Sequence, residues 1–183
     1  MKYEALKDFE LHSKVPTEVI EKYKDKIPPE LLEIWQEYGF GTFANGYMKI
    51  INPDEYMDVL ERSYFASDYS IPLFATGLAD IVTLQKGEYI GLVKYRRGEA
   101  PLHLYDFVDF IEDLEDPETI EFLDNEQYER AVQLHGSLAY DECFGYVPLL
   151  ALGGSELPEK LCKVAIIPHI DLITELDGEL TFA

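Results

Sequence analysis

The chain has 183 residues, 47% of them apolar and 13% aromatic, with 36 Asp and Glu against 15 Lys and Arg for a net charge of −21. One sizeable core is expected at this length, and 13 Tyr, 10 Phe and one Trp are too many for a disordered acidic tail. The charge excludes direct binding to nucleic acid or an anionic membrane, because phosphate contacts need clustered Lys and Arg; a basic protein is the natural complement.

The first third reads as mostly helical. Thr17 is placed to cap a helix reaching about Tyr23, and Pro28-Pro29 opens another in which Leu31, Ile34, Trp35 and Tyr38 share one face. Gly39 suits the left-handed residue that ends it. The stretch from Gly39 to Gly46 reads as turns and Tyr47 to Ile51 as a short strand. Asn52-Pro53, with Asp54 and Glu55 behind it, opens a helix to about Ser63.

Short β-branched and aromatic runs follow at Ile71 to Thr76, Asp80 to Gln85, Glu88 to Arg96 and Pro101 to Tyr105, separated by Gly77, Gly87 and Gly98. They predict an antiparallel meander. In the third run Tyr89, Gly91, Val93 and Tyr95 share one face and Ile90, Leu92, Lys94 and Arg96 the other. Neither face is polar until its end, so helices should cover at least one.

From Asp106 a helical period returns. Phe107, Phe110, Ile111 and Leu114 form an apolar stripe, with Asp109, Glu112, Asp113 and Asp116 largely off it, so the acidic run reads as a solvated helix face. Tyr128, Ala131, Val132 and His135 repeat the spacing, as do His169, Leu172, Ile173 and Leu176 between Pro168 and Gly178. Charge is uneven along the chain: residues 1–105 hold 12 basic and 17 acidic side chains, residues 106–183 hold 3 and 19. No Lys or Arg lies between Arg97 and Arg130. The expected fold class is α+β, an antiparallel β-sheet flanked by N- and C-terminal helices in one compact unit. Residues 1–105 and 106–183 are its two parts, the second acidic and mainly helical.

Few residues suggest chemistry. Gly39-Phe40-Gly41 with Gly46 lacks the spacing and the lysine of a phosphate loop, and Leu152-Gly153-Gly154-Ser155 is a turn rather than a nucleophile elbow. His12, His103, His135 and His169 lie far apart, and His135 and His169 on apolar stripes read as core histidines. Cys143 and Cys162 read as reduced, partly buried thiols, and nothing in the sequence brings Cys143 to His169 as a nucleophile and base. The carboxylate run lacks a calcium-loop pattern. No cofactor, metal or catalytic set is implied, and with no signal peptide or membrane-length apolar stretch the expected location is the cytoplasm.

Two stretches carry a family likeness. Ile27-Pro-Pro-Glu-Leu-Leu-Glu-Ile-Trp-Gln-Glu-Tyr-Gly-Phe-Gly41, with Gly46-Tyr47 and Ile51-Asn-Pro-Asp-Glu-Tyr56, resembles the opening of the GAD-like domain. Tyr140-Asp-Glu-Cys-Phe-Gly-Tyr-Val-Pro-Leu-Leu-Ala-Leu-Gly-Gly-Ser155, with Val164 onward to His169-Ile-Asp-Leu-Ile-Thr-Glu-Leu176, resembles the C-terminal module of immunity proteins paired with type VI secretion DNase effectors. Phe74-Ala-Thr-Gly-Leu-Ala-Asp-Ile81 fits the strand between them. Leu150, Ile170 and Glu175 depart from the pattern without disturbing the fold it implies. The opening is also similar to the SUKH immunity superfamily, which implies the same functional class.

The resemblance implies a non-enzymatic antitoxin that binds a cognate toxin, a basic nuclease, by stoichiometric docking, and it transfers no catalytic residue. The candidate toxin-binding residues are Asp109, Glu112, Asp113 and Asp116, whose charge would steer association, with exposed aromatics as anchors. A solubilising role for the same face remains open, as do two other classes: a ligand-binding or enzymatic α+β domain, and an intracellular adaptor.

Overall fold

The computed structural model describes residues 3–101 and 106–181. The predicted strand from Pro101 to Tyr105 falls mostly on residues 102–105, outside the described residues, as does His103. Among the described residues the order is β1 (Glu10–Ser13), α1 (Thr17–Tyr23), α2 (Pro29–Glu37), β2 (Phe40–Phe43), β3 (Met48–Ile50), α3 (Pro53–Ser63), β4 (Ser70–Thr76), β5 (Ile81–Gln85), β6 (Tyr89–Val93), α4 (Phe107–Glu112), α5 (Pro117–Phe122), α6 (Asn125–His135), β7 (Glu142–Tyr146), β8 (Leu161–Ala165) and α7 (Ile166–Asp177). β1 to β6 form one antiparallel sheet in chain order, and β7 pairs with β8 in a separate hairpin.

The fold is α+β and compact, with both sheet faces covered because the strands alternate apolar side chains onto both. Met48, Ile50, Phe74, Val82, Leu84, Ile90 and Leu92 join one buried cluster with residues of α1, α2, α4 and α6. Ile51, Ala75, Ile81 and Val93 join the other, with Val59 and Leu60 of α3, Cys143 of β7, and Ile170 and Ile173 of α7. Each cluster draws on residues before and after the acidic run, so neither half has a core to itself.

Helix α3 starts as its residues dictate: the Asn52 side chain accepts from the Asp54 N–H at 3.1 Å and Pro53 takes the first helical position. Helix α1 is capped differently from expectation, since Pro16 holds the N-cap position and Thr17 is already helical. Gly39, at φ +91°, ends α2 and turns the chain directly into β2. The predicted turns from Gly39 to Gly46 therefore hold a strand. Gly41 is there for close approach rather than for a turn, because a Cβ would lie 2.2 Å from the Glu10 carbonyl on β1.

The acidic run is not one solvated helix face. Asp116 precedes Pro117, whose ring disfavours a helical residue before it; Asp116 is accordingly extended at φ −71°, ψ 136°. The chain thus breaks into α4, a 3-10 turn at Asp113–Glu115, and α5. Helix α7 buries Ile166, His169, Ile170 and Ile173, whereas Leu172 and Leu176 of the expected stripe are exposed. His169 lies close against β7: a Cβ on Gly145 would come within 2.4–2.9 Å of its imidazole atoms.

Candidate interaction surface

Asp109, Glu112, Asp113 and Asp116 are all exposed, and none has an ion pair among the described residues. Asp109 lies in the first turn of α4, its N–H donating to Asp106 Oδ1 at 3.0 Å, and Glu112 ends the same helix. Asp113 opens the 3-10 turn, and Asp116 caps α5 by accepting from the Glu118 N–H at 2.9 Å. The break divides the set: Glu112 borders a cleft with Tyr3, Glu4 and Ala5, whereas Asp113 borders a separate slot beside β6.

Two other carboxylates of the run, Glu115 and Asp124, are neutralised within the chain. Glu115 pairs with Lys7 at 2.5 Å. Asp124, in a left-handed conformation at φ 56°, meets Arg96 at 2.5 Å, Arg97 at 3.2 Å and Lys94 at 3.3 Å. Burial by itself would raise the Asp124 carboxyl, but Arg96, Lys94 and Arg97 together hold it below the ordinary carboxylate range. Arg96 also donates to both oxygens of Asp80, a fully buried residue that ends the β4–β5 turn. The Arg96 side chain is 6% exposed and stays charged, because Asp80 and Asp124 outweigh its burial. This clasp joins the sheet to the first turn of α6, and no spacing in the sequence announces it.

Lys49 is a second buried cation. Its Nζ donates to the Ala139 carbonyl at 3.0 Å, and burial pushes the ammonium down to about 8 from 10.5. The folded state therefore binds that proton less tightly than the unfolded chain, so stability rises with pH through the window between those values. Burial of the Cys143 thiol and of several tyrosines acts the other way from about pH 8.5, because those groups ionise first in the unfolded chain, so the lysine is read as a difference. Between pH 7.5 and 9.5 the urea midpoint of the wild type should gain on that of Lys49→Met; midpoints that move in parallel would refute the assignment.

The Cys143 and His169 reading gains no support. Cys143 is buried and its thiol is pushed up to about 12, chiefly by burial, so it is no thiolate at neutral pH. Burial lowers His169, and Lys49 rather than an imidazole is the cation acting on the thiol. Cys162, expected to be partly buried, is exposed. His135, expected in the core, is also exposed, with Nε2 3.3 Å from the Pro158 carbonyl. Leu152 to Gly154 form the predicted turn, Gly153 at φ +81° and the Gly154 N–H donating to the Leu149 carbonyl at 3.0 Å.

The large exposed apolar side chains among the described residues of the acidic half are aliphatic rather than aromatic: Leu134, Val147, Leu152, Leu157, Leu172 and Leu176. Among the described residues no His, Cys, Asp and Glu group of three is arranged to hold a metal ion, and no helix is long and apolar enough to cross a membrane.

With this geometry in place, residues 105–177 match the family model described as T6SS immunity protein Tdi1, C-terminal, and residues 2–69 match that of the GAD-like domain. Both resemblances read from the sequence are thereby met. Curated proteins give no match. The crystal structure of Atu4351 from Agrobacterium tumefaciens has a TM-score of 0.76 to this chain at 17% identity, over 96% of this chain and 89% of that one. At that identity the likeness is one of fold.

Proposed function

We propose, from a GAD-like match in the first part of the chain and a T6SS immunity match over residues 105–177, that this protein is an immunity protein neutralising a cognate toxin by docking to it. The match over residues 105–177 carries the reading. It falls on the part of the chain that holds most of the negative charge, −16 of −21 after residue 105. The toxin is a basic nuclease: an enzyme that grips a polyanion presents Lys and Arg around its cleft, and an acidic protein is steered to that surface and blocks it. Binding is stoichiometric and non-enzymatic, in the cytoplasm. The buried, protonated Cys143 supports the same reading, since the one nucleophile and base pair the sequence offers is not set up for attack.

Co-expression with a candidate toxin from a neighbouring gene tests the reading. Cells carrying both genes should survive and yield a one-to-one complex, whereas cells carrying the toxin alone should lose DNA integrity. Death at equal expression, with no complex on size exclusion, would refute it.

A further inference from the structure

A cavity of about 170 Å³ opens between β6 and the α4–α5 break. Ile90 and Leu92 of β6 form its floor, Phe110 and Phe122 its sides, and the exposed carboxylates Asp113 and Glu118 stand at its edge. The size decides what it can take. Cofactor and drug-sized pockets run from about 300 to 1,000 Å³, whereas a dry cavity of about 150 Å³ in another protein holds a benzene ring. This slot fits one side chain.

Its chemistry is divided in the same way as a long cationic side chain: apolar within, anionic at the mouth. Asp113 and Glu118 have no cationic partner among the described residues, although Glu115 and Asp124 on either side are paired. The sequence supplies no Lys or Arg between residues 98 and 129. Phe122 already holds one cation, Lys94, whose Nζ lies 4.4 Å from the ring centroid and is neutralised by Asp124. We infer that this slot is the anchor pocket of the toxin interface, receiving one arginine of the partner, its methylenes on Ile90 and Leu92 and its guanidinium between Asp113 and Glu118. The planar guanidinium suits the aromatic walls as well as the carboxylates. The assignment rests on the immunity reading for its partner but not for its chemistry.

Two measurements separate them. First, n-butylguanidinium is titrated into the methyl-labelled protein. The Ile90 and Leu92 methyl resonances should shift saturably, while guanidinium alone or 1-butanol alone should bind several-fold more weakly. The Asp113→Asn, Glu118→Gln variant should bind n-butylguanidinium about five- to tenfold more weakly, the effect of two partly exposed charges. Equal binding by that variant, or by 1-butanol, overturns the inference. Second, Thr119, which also lines the slot, is replaced by tryptophan to plug it. Dissociation of the catalytically inactive toxin should accelerate about 30-fold or more, as when a central interface anchor is lost. An unchanged dissociation rate in Thr119→Trp and in the uncharged variant overturns the pocket while leaving immunity intact. Absence of any toxin complex with the wild type overturns immunity, and the first titration still judges the slot.

Discussion

Replacing Asp80 with alanine is expected to remove about 3–5 kcal/mol of folding stability, the usual cost of leaving a buried charge without its counterion. Asp80 is fully buried, and both its carboxylate oxygens are engaged by Arg96 Nη1. Without it, Asp124 is the one carboxylate left to the Arg96 guanidinium among the described residues, and it is 20% exposed and shared with Lys94 and Arg97. A stability of 5–15 kcal/mol is typical of a domain, so such a loss would leave much of the population unfolded at mild urea concentrations. Asp80→Ala combined with Arg96→Met should regain a substantial part, because the stranded charge is gone. Asp124→Asn should cost less than Asp80→Ala, since its site is partly solvated. Urea unfolding with a double-mutant cycle measures all three. A loss under about 1 kcal/mol for Asp80→Ala, or strict additivity in the double variant, would show that the clasp is not coupled.

Charge reversal on the α4–α5 break should have the largest effect on binding. Lysine at Asp109, Glu112 and Asp113, with Asn at Asp116, shifts the net charge by two units at each lysine and one at the asparagine, from −21 to −14. Asn is chosen at residue 116 because it keeps the cap that α5 needs, worth about 1 kcal/mol. Association with the toxin at low salt should slow by about 10- to 100-fold, and its dependence on ionic strength should flatten. Stopped-flow association at 20 and 200 mM salt reads both. An association rate equal to wild type at low salt would remove these residues from the interface. The division of the set adds a finer expectation: if the slot beside β6 is the anchor, Asp113→Lys should account for more of the loss than Glu112→Lys, which borders the other cleft.

How far the sequence could be read follows from how local each signal is. Asn52-Pro53 and the Phe107, Phe110, Ile111 and Leu114 stripe carry their information within a few residues, and both behave as expected. Strand β2 does not: Phe40, Gly41 and Phe43 are all buried, so alternation is lost, and the glycine that permits contact with β1 looks like a turn former. The acidic run breaks where its spacing predicts one helix face, because the apolar stripe continues to Leu114 while the backbone yields to Pro117 three residues later. On α7 the spacing was right but rotated, since Ile166 and Ile170 sit on the buried face and leave Leu172 and Leu176 outside. The candidate carboxylates are as exposed as expected, yet the features that give them surroundings were out of reach. Arg96 meets Asp80 across 16 residues and Asp124 across 28, and the slot joins β6 to a helix break that no periodicity marks.

The strand order has a consequence for synthesis on the ribosome. Because β2 to β6 each pair with the strand before, the whole ladder can zip in the direction of translation, never waiting for a later segment to insert. Arg96 is the exception. Asp80 has already emerged when it appears, but Asp124 follows 28 residues later, roughly 1.5–6 s at ordinary elongation rates. For that interval Arg96 holds Asp80 alone and Lys94 waits for its carboxylate, and arrival of Asp124 before α6 completes the clasp.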